Sequence, residues 1–352
     1  MNWIGRTVLA RLGNVSSLSR LPKRTYLAAM LHDFQKPLVV EEVAKDPEIG
    51  KSEVLVKVAA AGINHADLLM VRGHHHVLPS LPFVPGFELA GEVLAVGPDV
   101  KSFNIGDRVV ALKTTTNGAF AKKCAVQENE LFRIPHALSF EKAASLPVGY
   151  GTAFFALRDV ARVVEGQTVL VLTSQGSTGI ATVDLALNFF KCQVIAACDT
   201  EAKCAVIRPM GVLATCEYTD ENVVSTVKKH TGVRGVDVVV DTVGGTWFDQ
   251  ALRCLKPGGL LMSVGFSSGQ VPVVSAQTLL RLGVTVAGVS FGGFAKHKPQ
   301  RFHNIIEQLV NCLDEQYITP SVPKEFTLEQ VNQALEHVDS KASIGKVVLV
   351  TR

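Results

Sequence analysis

Thr168-Val169-Leu170-Val171-Leu172-Thr173-Ser174-Gln175-Gly176-Ser177-Thr178-Gly179 is the stretch that decides the fold. A continuous apolar run is followed by small residues and then by a helical pattern over 178–190. An unbroken apolar run of this length reads as a strand buried on both faces. Gly176 allows a close backbone approach, and Gly179 allows the helix to pack tightly on the strand. Further buried-strand patterns occupy 194–198, 235–240 and 259–264, with helical segments between them. Strands alternating with helices predict an α/β unit with a doubly wound parallel sheet.

The turn at the end of the first strand has the form that holds a pyrophosphate. Free N–H groups and the positive end of the helix attract an anion there. The loop is S-x-G-x-x-G, with Ser174 at the first glycine position. A degenerate loop of this kind also suits a plain strand–helix turn. Its weight comes from the repeats that follow. Asp241-Thr242-Val243-Gly244-Gly245 and Gly265-Phe266 lie just past later strands, where open α/β sheets bind ligands. The candidate cofactor-binding residues are therefore Ser174, Gly176, Ser177, Thr178, Gly179, Val243, Gly265 and Phe266. Asp199 stands 20 residues beyond Gly179, the spacing at which an acid takes the ribose hydroxyls of NAD. Lys203, four residues on, suits the 2′-phosphate of NADP. The two residues disagree and leave the cofactor choice open.

Working outward, residues 51–126 carry short strand patterns broken by glycine, which predict a compact β-rich unit resembling a partly open barrel. Helical patterns return at 304–315 and 328–337, and a strand pattern closes the chain at 345–350. The 352 residues are 47% hydrophobic with a formal charge of +3, so the sequence gives no case for nucleic-acid binding. No apolar run approaches the ~18 residues of a membrane span. Residues 1–32 hold Arg6, Arg11, Arg20, Lys23 and Arg24 and no acid. On a helix, Trp3, Ile4, Val8, Leu9 and Leu12 share an apolar face with Arg6 and Arg11 off it. Residues 1–26 thus read as a mitochondrial presequence directing the chain to the matrix. A fusion carrying residues 1–30 tests this, and diffuse cytosolic signal would refute it. The seven cysteines are scattered with no CxxC pair, as for free thiols in a reducing compartment.

Several motifs, in order, resemble the quinone oxidoreductase, or zeta-crystallin-like, branch of the medium-chain dehydrogenase/reductase superfamily. They are Ala61-Gly62-Ile63-Asn64-His65-Ala66-Asp67, Pro85-Gly86-Phe87-Glu88-Leu89-Ala90-Gly91, Gly106-Asp107-Arg108-Val109, Gly118-Ala119-Phe120-Ala121, Ala143-Ala144-Ser145-Leu146-Pro147, the glycine loop, Asp241 to Gly245, and Gly345-Lys346-Val347-Val348-Leu349. The resemblance implies a Rossmann nucleotide-binding domain over 151–290 and a GroES-like catalytic domain split into 27–150 and 291–352. It implies a homodimer paired through the strand near 284–290. It places Lys203 and Tyr218 around the 2′-phosphate of NADPH, although the family usually has a small neutral residue at Asp199. The superfamily's zinc alcohol dehydrogenases carry a cysteine and a histidine where this chain has Asn64 and Phe87. An amide and a phenyl ring do not make a zinc site, so no metal is expected. The adjacent His74, His75 and His76 cannot easily turn three rings onto one ion either.

The expected reaction is hydride transfer from NADPH, with NADH not excluded, to a small-molecule acceptor: a quinone or an α,β-unsaturated carbonyl. Asn64 is the candidate hydrogen-bonding group, Asp67 orients that shell, and Thr152 supports the nicotinamide end. Asp67 equally suits a plain helix-start carboxylate. Tyr150, His65, His75 and water are the candidate proton sources. An enoyl-thioester reductase and a nucleotide-binding scaffold with weak turnover are the alternatives.

Overall fold

A computed structural model describes residues 25–114, 116–172, 176–218 and 222–351. Ser174 and almost all of the leader, 1–24, lie outside the described residues.

The first body is β-rich. Its strands are β1 (Tyr26–Met30), β2 (Val39–Val43), β3 (Glu53–Ile63), β4 (Glu88–Val96), β5 (Arg108–Leu112), β6 (Lys123–Gln127) and β7 (Leu131–Arg133). The second body contributes β8 (Thr168–Leu172), β9 (Gln193–Cys198), β10 (Ala214–Glu217), β11 (Val236–Asp241), β12 (Leu255–Ser263) and β13 (Thr285–Gly288). The chain ends with β14 (Lys324–Thr327) and β15 (Val347–Val350).

The strands β8 to β13 form one six-stranded parallel sheet in the order β10-β9-β8-β11-β12-β13. β8 lies between β9 and β11, so the strand order reverses there. The carboxyl ends of β8 and β11 consequently flank the crevice where such sheets take their ligands. Val169, Leu170, Val171, Val239 and Val240 are fully buried, as the unbroken apolar runs require. The helix after β8, Ser177–Asp184, continues through a widened turn, Leu185–Phe189, across the predicted span.

The second sheet runs β14-β15-β3-β4-β5-β7, with β6 also on β3. β15 pairs antiparallel with β3, matching Val348 to Gly62 and Val347 to Ile63. β3 pairs with β4, matching Gly62 to Glu88. The last strand thus returns to the first body, beside its two most motif-rich strands. Helices Phe291–His297 and Pro299–Asp314 pack against both bodies: Phe291, Phe302, Ile305, Ile306 and Leu309 share one apolar cluster with Val169 and Val171 of β8 and with Val110 and Phe132 of the first body. An amphipathic helix pattern shows that one face is buried but not against which body. Among the described residues, no helix is long and apolar enough to cross a membrane.

Candidate active site between the two bodies

Three neighbouring strands bring a buried polar cluster together. Asn64 follows the end of β3, Glu88 begins β4, and Lys346 immediately precedes β15. The Asn64 side-chain N–H donates to Glu88 Oε1 at 2.8 Å. The Lys346 ammonium donates to Asn64 Oδ1 at 2.7 Å and also to Glu88 Oε1. Glu88 Oε2 accepts from the Val148 amide at 2.8 Å, tying the cluster to helix Pro147–Phe154. Glu88 is fully buried and Lys346 is 3% exposed. A buried ion pair persists only when its remaining hydrogen-bonding capacity is used, and here two further polar groups meet the carboxylate.

Asp67 lies beneath this cluster in the first turn of helix His65–Val71. Its Oδ2 accepts from the Asn64 amide at 2.8 Å, while Oδ1 has no hydrogen-bond partner of good geometry among the described residues. Complete burial pushes its carboxyl up to about 7. The Asn64 and Gly86 amides and the Lys346 charge oppose that rise, and Glu88 adds to it. Asp67 is thus a helix-start carboxylate that caps the backbone of Asn64.

The cluster adjoins the nucleotide loop. Gly345, next to Lys346, forms a parallel backbone bridge to Gly176. Ser177, Tyr150, Ser145, Ile180 and Lys346 help to line a cavity of about 10 Å³ there. Ser177 sits so close to helix Pro147–Phe154 that a Cβ on Gly149 would lie 2.8 Å from its Oγ. Thr152 belongs to that same helix. Thr178 and Gly179 follow in the first turn after Gly176, and the Gly179 amide donates to the Gly176 carbonyl at 3.1 Å.

At the other end of the crevice, Tyr218 stacks on Trp247 with centroids 5.2 Å apart. Its hydroxyl is buried and has no hydrogen-bond partner among the described residues. Burial holds that hydroxyl well above the usual tyrosine range, with the neighbouring Cys198, Asp241 and Asp199 adding to the effect. Lys203 donates to Asp199 Oδ2 at 2.6 Å and to the Lys341 carbonyl at 3.1 Å. The Val243 and Gly244 amides donate to Asp241 Oδ1 at 2.8 and 2.9 Å, which shapes the loop beyond β11. Gly265 lies beside that loop, its would-be Cβ 3.5 Å from the Thr242 carbonyl oxygen, and Phe266 is exposed.

Comparison with known proteins agrees with this architecture. Residues 50–136 match the family model "Alcohol dehydrogenase GroES-like domain", and residues 178–311 match "Zinc-binding dehydrogenase". A "Quinone oxidoreductase-like protein 2 homolog" of Nematostella vectensis is 38% identical, covering 94% of this chain and 90% of that protein. "Quinone oxidoreductase-like protein 2" of Bos taurus is 38% identical, covering 93% of each. The chain belongs to the quinone oxidoreductase-like family of the medium-chain dehydrogenase/reductase superfamily. It is an oxidoreductase of that fold. Among solved structures, Escherichia coli quinone oxidoreductase complexed with NADPH superposes with a TM-score of 0.84 at 27% identity, covering 93% of this chain and all of that one.

Within this family frame, the Asn64 cluster does not fit zinc. The amide that stands at a ligand position already holds an ammonium, and Phe87 offers no donor atom. Among the described residues, no group of three or more His, Cys, Asp and Glu side chains is arranged to hold a metal. His75 instead packs its ring 5.9 Å from Phe87 and hydrogen-bonds the Val77 carbonyl at 2.8 Å. Tyr150 is removed from the proton-donor candidates. Its hydroxyl donates to buried Asp184 at 2.6 Å, and burial beside that carboxylate pushes its pKa well up. Glu88 and Lys346 were visible as motif letters, but their pairing depends on strand register rather than on any local pattern.

Proposed function

We propose that the protein is a zinc-independent reductase that uses NADPH to reduce a quinone or an α,β-unsaturated carbonyl. The observation carrying this reading is the Asn64 amide, held by Glu88 and Lys346 at strand ends that adjoin the glycine loop through Gly345 and Gly176. The residues fit a dinucleotide. A Cβ on Gly176 would meet nothing within 4 Å, so the space on that face of the loop is open to a phosphate, and the Tyr218 hydroxyl is a buried polar atom in need of a partner.

Gly176, Ser177, Thr178 and Gly179 would hold the pyrophosphate, Lys203 and Tyr218 the 2′-phosphate, and Thr152, Val243, Gly265 and Phe266 the nicotinamide half. When bound, NADPH supplies hydride, and the acceptor oxygen carries the resulting charge until water protonates it. The chain's own contribution is orientation, exclusion of water and a hydrogen bond from Asn64 to that oxygen.

Calorimetric titration with NADPH and NADH, followed by turnover of a quinone and an enoyl thioester, tests the reading. Absence of saturable binding of either nucleotide would falsify it. Because Asp199 competes for Lys203, we expect Lys203→Ala to weaken NADPH by about tenfold while NADH changes little, and Asp199→Ser to strengthen NADPH. Equal losses for both nucleotides in Lys203→Ala would remove the phosphate contact from the scheme.

A homodimer joined through β13 forms part of the proposal. Among the described residues, β13 has one strand neighbour, β12. Beside it, helix Ala276–Leu282 buries no residue, and Leu280 and Val273 are 85% and 92% exposed. A paired edge and covered apolar surface remove two aggregation hazards at once. Sedimentation equilibrium is expected to show a dimer that Leu280→Glu weakens; a wild-type monomer at micromolar concentration would refute it.

A further inference from the structure

We propose that Lys346 is the positioning residue that decides which side of the Asn64 amide meets the electron acceptor, so that this site accepts compounds presenting an oxygen lone pair. The inference rests on the reductase reading above and deepens it. An asparagine amide can turn over, exchanging its oxygen for its NH₂ group with little change in shape. Here both neighbours oppose the exchange. With the oxygen toward Lys346 and the nitrogen toward Glu88, each end meets its complement at 2.7 and 2.8 Å. In the reversed state an NH₂ group would face the ammonium and an oxygen would face the carboxylate. Both partners are buried, so water cannot relieve either mismatch.

The fixed amide turns its oxygen toward the ammonium and one N–H toward the carboxylate. No partner meets its second N–H among the described residues. Asn64 therefore presents an N–H, and not its oxygen, to an acceptor. A carbonyl oxygen meets that requirement; a hydroxyl presented as a donor does not. The ammonium also draws electron density from the amide through its oxygen, which strengthens the remaining N–H as a donor. The effect grows as negative charge develops on the acceptor oxygen, when a pre-aimed donor is most valuable. Lys346 thus supplies fixed positive charge one group behind the reacting oxygen.

The charges around this amide are few. Glu88 from β4, Lys346 before β15 and Asp67 from helix His65–Val71 face one another, with the Asn64 and Gly86 amides completing the surroundings of Asp67. While Asp67 holds its proton, Glu88 and Lys346 balance. Once Asp67 ionises, the cluster gains a negative charge that opposes charge on the acceptor. Lys346 lowers the Asp67 pKa, so removing it must move that ionisation to higher pH.

The test uses the full chain, NADPH binding by calorimetry, and kcat, KM and pH profiles with 1,4-naphthoquinone. Lys346→Met is expected to lower kcat by about 10²-fold with NADPH affinity changed by no more than about threefold. Its alkaline limb should move upward, and Lys346→Arg should recover part of kcat. Lys346→Gln, whose amide N–H can still donate to Glu88 or to Asn64 but which removes the fixed charge, should show a kcat loss in the same direction and carries the test if Lys346→Met does not fold. Wild-type kcat in Lys346→Met, or in Lys346→Gln where that variant replaces it, would overturn the proposal. So would a kcat loss matched by loss of NADPH binding, which marks a merely structural lysine. Failure of the wild-type protein to bind NADPH would instead strike the underlying reductase reading.

Discussion

Gly62→Ala is expected to cost most of the protein's stability and nearly all of its activity. An added Cβ would collide with Glu88 Oε1 and stand 2.7 Å from Lys346 Cε and 2.8 Å from the Ala144 carbonyl oxygen. The obstacle is close approach, because Gly62 lies within β3 and is matched to Glu88 on one side and Val348 on the other. Two of the three obstructing atoms belong to the buried ion pair, and the third is backbone, so no flexible chain end can swing away. Overpacking alone costs roughly 1–3 kcal/mol. Separating a buried pair adds a penalty of similar or greater size, so a total on the order of 4 kcal/mol is expected. In a chain of 352 residues such a loss should lower Tm by roughly 5 °C. Gly292→Ala is the control. A Cβ there meets nothing within 4 Å, and the residue lies in helix Phe291–His297, so its Tm should hold or rise slightly. If Gly62→Ala melts within two degrees or so of wild type by the same scale, the tight cradle assigned to this glycine is wrong.

That glycine shows where the sequence is readable and where it stops. The run from Thr168 to Leu172, its glycine turn and the helix after it declare themselves through local periodicity, and the parallel sheet follows from repetition of the same rhythm. The β-rich first body is legible in the same way, from short strand patterns and glycine breaks. The site is less local. Asn64 and Lys346 are 282 residues apart, and only the pairing of β15 with β3 brings them into contact. Asn64 was readable because a familiar motif carries an unfamiliar residue there, whereas Lys346 looked like one letter in a terminal strand motif. Tyr218 and Lys203 came from the family likeness. The local pattern shows neither the orphaned Tyr218 hydroxyl nor the ion pair between Asp199 and Lys203. The helices over 291–314 show a third limit, since periodicity reveals an apolar face but not that it packs against residues of both bodies.

Asp67→Asn should change the pH dependence of stability more than any other substitution in the cluster. The Asp67 carboxyl rises from 3.8 to about 7 in the folded chain, first because burial penalises its charged form. Below about pH 4 the folded and unfolded chains both hold the proton, so the group contributes no difference. Between about 4 and 7 the unfolded chain releases it while the folded chain retains it, and the native state loses stability as pH rises. Above about 7 the loss is complete, a few kcal/mol at one pKa unit per roughly 1.4 kcal/mol. An asparagine at 67 carries no charge at any of these pH values. Its oxygen can accept from the Asn64 amide as Asp67 Oδ2 does, while its NH₂ group takes the place of Oδ1 and adds an offset independent of pH. Urea denaturation of both proteins at pH 4.5, 6 and 8 separates that offset from the titration. The variant's stability relative to wild type should climb steadily across the series, and parallel curves would show that Asp67 does not hold its proton into this range. Because ionised Asp67 also places a negative charge beside Glu88, the same substitution should flatten the alkaline fall in kcat, joining stability and turnover to one buried proton.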